Sequence, residues 1–387
     1  MDQSIDAQKL RTTGRRRTRS LAQTRWQLTP NGAIPLPARR SRPEASSRSA
    51  GMACRCQPTV PVRPARRPRD VDFARVDNPA VQPSTAPGFL PMTGIYEPSA
   101  VQQLPDGRLL VVEDEKHHQF SLVTIAADGS IDSERLTPGL LHVFDDFWNL
   151  SDLEGLALDS AGFVYAITSH SRDDDGDEKK SRERLVRFRI DGSRVIDPKV
   201  FRGLKGALTA QFPLLAEAAG IRDVKNGGGL NIEGLEIHAD EKRLMIGFRS
   251  PLHEGRAIIA SVLNPNGIFA DDEPPRLAAE LDELDLDGHG IRALTWLPSL
   301  GDYLVISGPV SREPGEFALW RWNGRHEGPA RRITIPGLQG LGRGEGVAPA
   351  VLDGVERIVI VSDDGNRKEE RPAHYLLLDP GQLKTGR

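Results

Sequence analysis

From about residue 97 onward, short apolar runs alternate with polar residues, and each is followed across a polar turn by a second run. Strict alternation over four to eight residues is the signature of half-buried β-strands. The sharpest pair is Asp152-Leu153-Glu154-Gly155-Leu156-Ala157-Leu158-Asp159 and its echo Asn231-Ile232-Glu233-Gly234-Leu235-Glu236-Ile237-His238. Second runs follow at Phe163–Ile167 and Arg243–Gly247. Three fainter copies pair Pro98–Val101 with Leu109–Val112, Gly290–Leu294 with Tyr303–Ser307, and Gly344–Val347 with Arg357–Val361. Aligning Ser99, Glu154, Glu233, Arg292 and Glu345 gives intervals of 55, 79, 59 and 53 residues. A four-stranded blade with its loops needs ~40–50 residues, so each interval holds about one. A third strand is expected in each unit, at Phe120–Ile125, Leu185–Ile190, Ala257–Leu263, Phe317–Trp322 and Tyr375–Leu378. Small antiparallel sheets repeated around an axis bury their faces on one another. The pattern therefore predicts an all-β chain, a five- or six-bladed β-propeller over residues 86–387.

The long interval carries an insertion. Leu204, Leu208, Phe212, Leu215 and Ala219 fall at three- and four-residue steps and predict an amphipathic helix. Pro213 should kink it or divide it in two, and Gly220 offers a stop. With Gly227-Gly228-Gly229 behind it, this segment is either a lid over the neighbouring motif or a plain packed insertion. The last unit has no evident fourth strand, so a strand drawn from residues 71–93 is expected to close the ring.

Charge separates the chain into two parts. Residues 1–70 carry a balance of +12 and the rest −15, within an overall −3. Residues 1–85 are rich in Arg and Pro and nearly free of periodic apolar positions, so they are expected to be disordered. Such a tail suits an electrostatic arm for nucleic acid, a targeting peptide, or a translated upstream stretch with Met52 or Met92 as the true start. Nucleic acid is expected through this tail if at all. The two cysteines, Cys54 and Cys56, have one residue between them, which suits neither a disulfide nor a zinc half-site. No apolar run reaches the ~18 residues of a membrane span, and no secretory h-region follows the first arginines, so a cytoplasmic location without membrane partners is expected.

Several of these segments resemble a bacterial β-propeller family catalogued as a domain of unknown function. They are Tyr96–Ala100, Asp106-Gly107-Arg108, Glu113-Asp114-Glu115, Asp152–Leu156, Ser169–Arg172, Asn231–Leu235, Gly247–Pro251 and Gly290-Ile291-Arg292. More distantly, the Glu-Gly-Leu repeats are similar to those of phytase-like esterase propellers. The resemblance implies the fold and assigns no catalytic residue.

The candidate chemistry comes from register. If the ring closes, Glu154, Glu233 and Glu345 converge with Arg292 on the axis, and Asp152, Asn231 and Arg343 lie two positions earlier. Carboxylates Glu154, Glu233, Glu345 and Asp152 suit a hard cation such as Ca²⁺ or Mg²⁺. Arg172, Arg249 and Arg292 could grip a small anionic substrate, and His170, Glu154 and Glu233 could move protons. Together these point to a metal-assisted ester or phosphoester hydrolase at the channel mouth. In the competing reading the same acids pair with neighbouring arginines and rigidify a propeller that only binds a ligand or peptide. The run Asp173–Asp177 lacks the Gly and Glu spacing of an EF-hand and reads as a solvated loop. Trp320 and Trp322 read as core, and His117-His118 as an exposed turn.

Overall fold

A computed structural model describes residues 87–114, 119–138, 146–326 and 328–385. The basic tail, Cys54, Cys56, Glu115, His117 and His118 lie outside the described residues, and the expected boundary at residue 86 falls at their edge.

The strands follow the sequence pattern closely. After β1 (Leu90–Met92), blade 1 is β2 (Pro98–Gln103), β3 (Leu109–Glu113), β4 (Phe120–Ile125) and β5 (Ile131–Arg135). Blade 2 is β6 (Leu153–Leu158), β7 (Val164–Thr168), β8 (Leu185–Asp191) and β9 (Arg194–Phe201). Blade 3 is β10 (Asn231–Ile237), β11 (Leu244–Ser250), β12 (Ala257–Val262) and β13 (Asp282–Leu284). Blade 4 is β14 (Gly290–Leu297), β15 (Asp302–Gly308), β16 (Ala318–Trp322) and β17 (Arg331–Thr334). Blade 5 is β18 (Gly344–Leu352), β19 (Val355–Ser362) and β20 (Ala373–Leu378). Its fourth strand is β1, paired antiparallel with β20, so the start of the body closes the ring at its end. The propeller has five blades. At the C-terminus β21 (Lys384–Thr385) adds a fifth strand to blade 4.

Strand alternation decides what packs where, because successive side chains point to opposite faces. On β3, Leu110 and Val112 join Phe120, Leu156 and Val164 between blades 1 and 2. Leu109 and Val111 point the other way, to Met92, Val359 and Tyr375 between blades 1 and 5. Each of the remaining interfaces has its own cluster, around Leu235 and Ile246, around Leu294 and Tyr303, and around Leu304 and Ile360. Trp320 and Trp322 are buried in the cluster between blades 3 and 4, as their alternation predicts. The outer strands gave no comparable signal, because they are short or solvated; β5 and β9 have no buried position.

The insertion between blades 2 and 3 is divided at Pro213 into α1 (Leu204–Gln211) and α2 (Pro213–Gly220), with a short α3 (Val224–Gly227) behind. Leu204, Leu208 and Leu215 are fully buried against blades 2 and 3, so the segment is a packed insertion. A further helix, α4 (Pro265–Ala270), was not legible in the sequence; one and a half turns are too short for a periodic pattern. Among the described residues no helix is long and apolar enough to cross a membrane.

Candidate active site

Each blade opens on an inner strand, and each inner strand carries an irregularity at the same register. The pairing passes from Pro98 to Ala100, Leu153 to Gly155, Ile232 to Gly234, Ile291 to Ala293 and Gly344 to Gly346. The residues passed over are Ser99, Glu154, Glu233, Arg292 and Glu345. A β-bulge leaves one residue out of the ladder and re-aims its side chain. All five line one cavity of about 280 Å³ at the channel mouth. The glycines after three of them allow the inner strands to approach. A Cβ on Gly155 would come within 2.7 Å of Leu235 Cβ, and one on Gly346 within 2.9 Å of Ala100 Cα.

The side of the ring formed by blades 3 to 5 is a buried charge network. Arg292 Nη1 lies 2.9 and 3.0 Å from the two Glu345 oxygens and 3.0 Å from Glu233 Oε2, while its Nη2 donates to Pro309 O at 3.0 Å. Arg249 donates to Glu233 Oε1 at 3.1 Å and to the carbonyls of Pro309 and Ser311. Asn231 Nδ2 also reaches Glu233 Oε1, at 3.0 Å, whereas Asn231 Oδ1 is buried without a hydrogen-bond partner among the described residues. Burial works against the Arg292 charge, but Glu233, Glu345 and Glu154 more than compensate and hold it above its usual range. Burial pushes Glu345 upward, with Arg292 opposing.

On blades 1 and 2 the carboxyls crowd without enough cations. Asp152 takes Ser169 Oγ, Ser171 Oγ at 3.2 Å and Arg182 Nη1 at 2.7 Å, all on Oδ2. Its backbone is in the left-handed region, φ 62°, which a non-glycine residue adopts at a cost of order 1–3 kcal/mol. Asp114, at the end of β3, is pushed up to about 8 by burial and by its hydrogen bond and charge contact with Asp152. Glu154 makes no hydrogen bond or ion pair among the described residues. Burial first, then Glu233, Asp152, Asp114 and Glu345, raise its carboxyl well above the ordinary range. Its surroundings favour the protonated carboxyl over the carboxylate.

The expected site residues therefore divide. Glu154, Glu233, Glu345, Asp152, Arg172, Arg249 and Arg292 all line the cavity. His170 does not. Its Nδ1 meets Thr168 O at 2.8 Å beneath the helical insertion, and burial lowers its pKa to about 4, so it stays uncharged and out of reach of a ligand. Arg172 is committed to Ala219 O, Gly176 O and Glu178, and fastens the insertion to the loop that follows β7. Among the described residues the carboxylates expected to hold a divalent cation are largely engaged by arginines. Glu233 and Glu345 are held by guanidinium groups, Asp152 by Arg182, and among the described residues no three His, Cys, Asp or Glu side chains group as ligands. Sequence reasoning missed Arg182, Lys225 and Arg312, which come from segments between strands with no strand register to mark them.

A family model described as "Protein of unknown function (DUF3616)" matches residues 221–379, which include blade 3, β14 to β17 of blade 4 and β18 to β20 of blade 5. The resemblance to a propeller domain of unknown function is borne out to that extent. No curated protein matches the chain. Among solved structures, a PQQ-bound aldose sugar dehydrogenase from Streptomyces coelicolor is 15% identical, with 78% of this chain and 100% of that chain covered and a TM-score of 0.38. A gluconolactonase from Xanthomonas campestris is 14% identical, covering 77% and 78%, with a TM-score of 0.37. A β-fructofuranosidase from Bombyx mori, in complex with sucrose, is 13% identical, covering 78% and 64%, with a TM-score of 0.43.

Proposed function

We propose that the protein hydrolyses a small ester or phosphoester at the channel mouth by proton transfer between carboxyl groups. The observation that carries this is Glu154, a cavity-lining carboxyl without an ion pair among the described residues, whose pKa is raised by burial first and then by the surrounding acids. Beside it, Asp152 is tied to Arg182 through Oδ2, which leaves Oδ1 free of those contacts. A raised carboxyl beside one that is ion-paired suits an acid and a base.

In this reading a water attacks the acyl carbon or phosphorus and gives its proton to Asp152. The bond to the alcohol oxygen breaks, and that oxygen takes the Glu154 proton, leaving an acid and an alcohol. Asp114 steadies the base by its hydrogen bond to Asp152. Glu233, fixed between Arg249 and Arg292, shapes the field and is not a proton carrier. No step in this scheme requires a divalent cation.

The test is a panel of p-nitrophenyl carboxylic and phosphate esters, with wild type and Glu154→Gln, from pH 5 to 10, with and without CaCl₂. Loss of a general acid costs on the order of 10²–10⁴ in rate, so the variant should fall by at least the lower figure. Wild-type activity should decline as pH rises through about 8, where Asp114 loses its proton. Absence of turnover with every ester, or an undiminished Glu154→Gln, would overturn the assignment. Saturable ligand binding without turnover would establish the binding-propeller alternative.

A further inference from the structure

The arginines that line the axis are already spent on internal partners, which raises the question of what cations remain for a substrate. They lie at the rim. Arg312, in the loop after β15, donates through Nη2 to Asp174 Oδ1 at 2.8 Å. Lys225, in α3, reaches the same oxygen at 3.3 Å. Arg343, just before β18, is exposed and has no side-chain hydrogen bond or ion pair among the described residues beyond its charge contact with Asp363. All three line the same cavity as Glu154.

Asp174 is held out by a turn built for the purpose. Its neighbour Asp173 accepts from the backbone of Asp175 at 3.1 Å and Asp177 at 2.8 Å, and its other oxygen meets Lys179 at 3.1 Å. Arg222 pins the turn from the insertion side through Asp175 O and Asp177 Oδ1, at 3.1 Å each. One carboxylate oxygen thus sits between cations from a helical insertion and from blade 4, brought together from far apart in the chain. The pairs are largely exposed, so they contribute little to stability and exchange at small cost. Both cations hold the Asp174 carboxyl below its usual range, Lys225 more than Arg312.

We infer that Arg312, Lys225 and Arg343 form an anion subsite at the rim of the channel, that the Asp174 carboxylate occupies it as an internal stand-in, and that a phosphate or carboxylate group of the substrate displaces it. The inference rests on the mouth being the substrate site and adds which end of the substrate is charged. A dianion offers more acceptor oxygens to guanidinium groups than one carboxylate oxygen does, which is why the exchange favours the ligand.

Calorimetric titration of the full chain with inorganic phosphate, and separately with acetate, tests this. Asp174→Asn removes the competitor and should tighten binding roughly two- to five-fold, the worth of an exposed ion pair. Arg312→Gln with Lys225→Gln should weaken it at least as much. The arginine-rich tail is common to all variants, so the differences report the rim. Unchanged or weaker binding by Asp174→Asn, unaltered binding by the double variant, or no binding of either anion to wild type would overturn the subsite. Phosphate bound more tightly than acetate would indicate a phosphate-bearing substrate, and the reverse a carboxylate. The readout is anion binding and not turnover, so the subsite stands or falls separately from the hydrolytic assignment.

Discussion

Replacing Arg292 by Met keeps the aliphatic length of the side chain and removes the charge that holds blades 3, 4 and 5 together at the axis. Arg292 is 6% exposed and lies 5.0 Å over the Phe317 ring, with Glu233 and Glu345 on its Nη1. Its loss leaves Glu345 without its cation and Glu233 with Arg249 alone. Breaking one partner out of a buried ion pair costs about 3–5 kcal/mol. For a body of this size that is a fall of about 6–10 °C in Tm, at roughly 2 °C per kcal/mol. The sign with pH is fixed. Without the guanidinium, the Glu345 carboxyl, already raised by burial, rises further. A carboxyl raised in the folded state stabilises it at low pH, and that contribution is lost as pH climbs through the folded value. The deficit should therefore grow as pH climbs through about 8, and be larger near pH 9 than near pH 6. Adding Glu345→Gln to Arg292→Met should recover part of it at pH 9. Scanning calorimetry of the full-length variants at both pH values is the assay. A loss below about 1 kcal/mol at pH 9, or an equal loss at both, would show that charge balance does not hold the axis together.

Two further outcomes follow from buried groups. Glu236 is 7% exposed, accepts Ile237 N at 2.7 Å and Trp296 N at 2.9 Å across the interface of blades 3 and 4, and is raised by burial to about 7. Its folded value lies above its unfolded one, so stability is greatest below pH ~4.5 and falls by about 3 kcal/mol as pH passes 7; Glu236→Gln should flatten that part of the stability profile, and an unchanged profile would refute it. Met92 is fully buried in β1 against blade 5, so Met92→Ala should cost about 2–5 kcal/mol in thermal unfolding, whereas an unaltered Tm would mean that the closing strand does not secure the ring.

The repeat was legible because it is local. Period-two alternation, turn residues and the Glu-Gly-Leu echoes placed the inner three strands of the blades within a few residues, and the need to cover the last edge predicted a closing strand that proves to be Leu90–Met92. Register also predicted that Glu154, Glu233, Arg292 and Glu345 share an axis, because residues at one register of a closed repeat must. What each of them does there was not legible. Glu233 and Glu345 became ion-pair partners and Glu154 a lone acid only because Arg249 and Arg292 come from blades 3 and 4, on one side of the ring. His170, a residue of the right chemistry on the right strand end, is turned under the insertion by a left-handed backbone, φ 56°, which no strand pattern announces. Likewise Arg182, Lys225 and Arg312 reach the cavity from segments between strands. Alternation reports which face of a strand is dry. Which charges meet depends on closing the ring, since electrostatic pairing is a matter of distance in space and not of position along the chain.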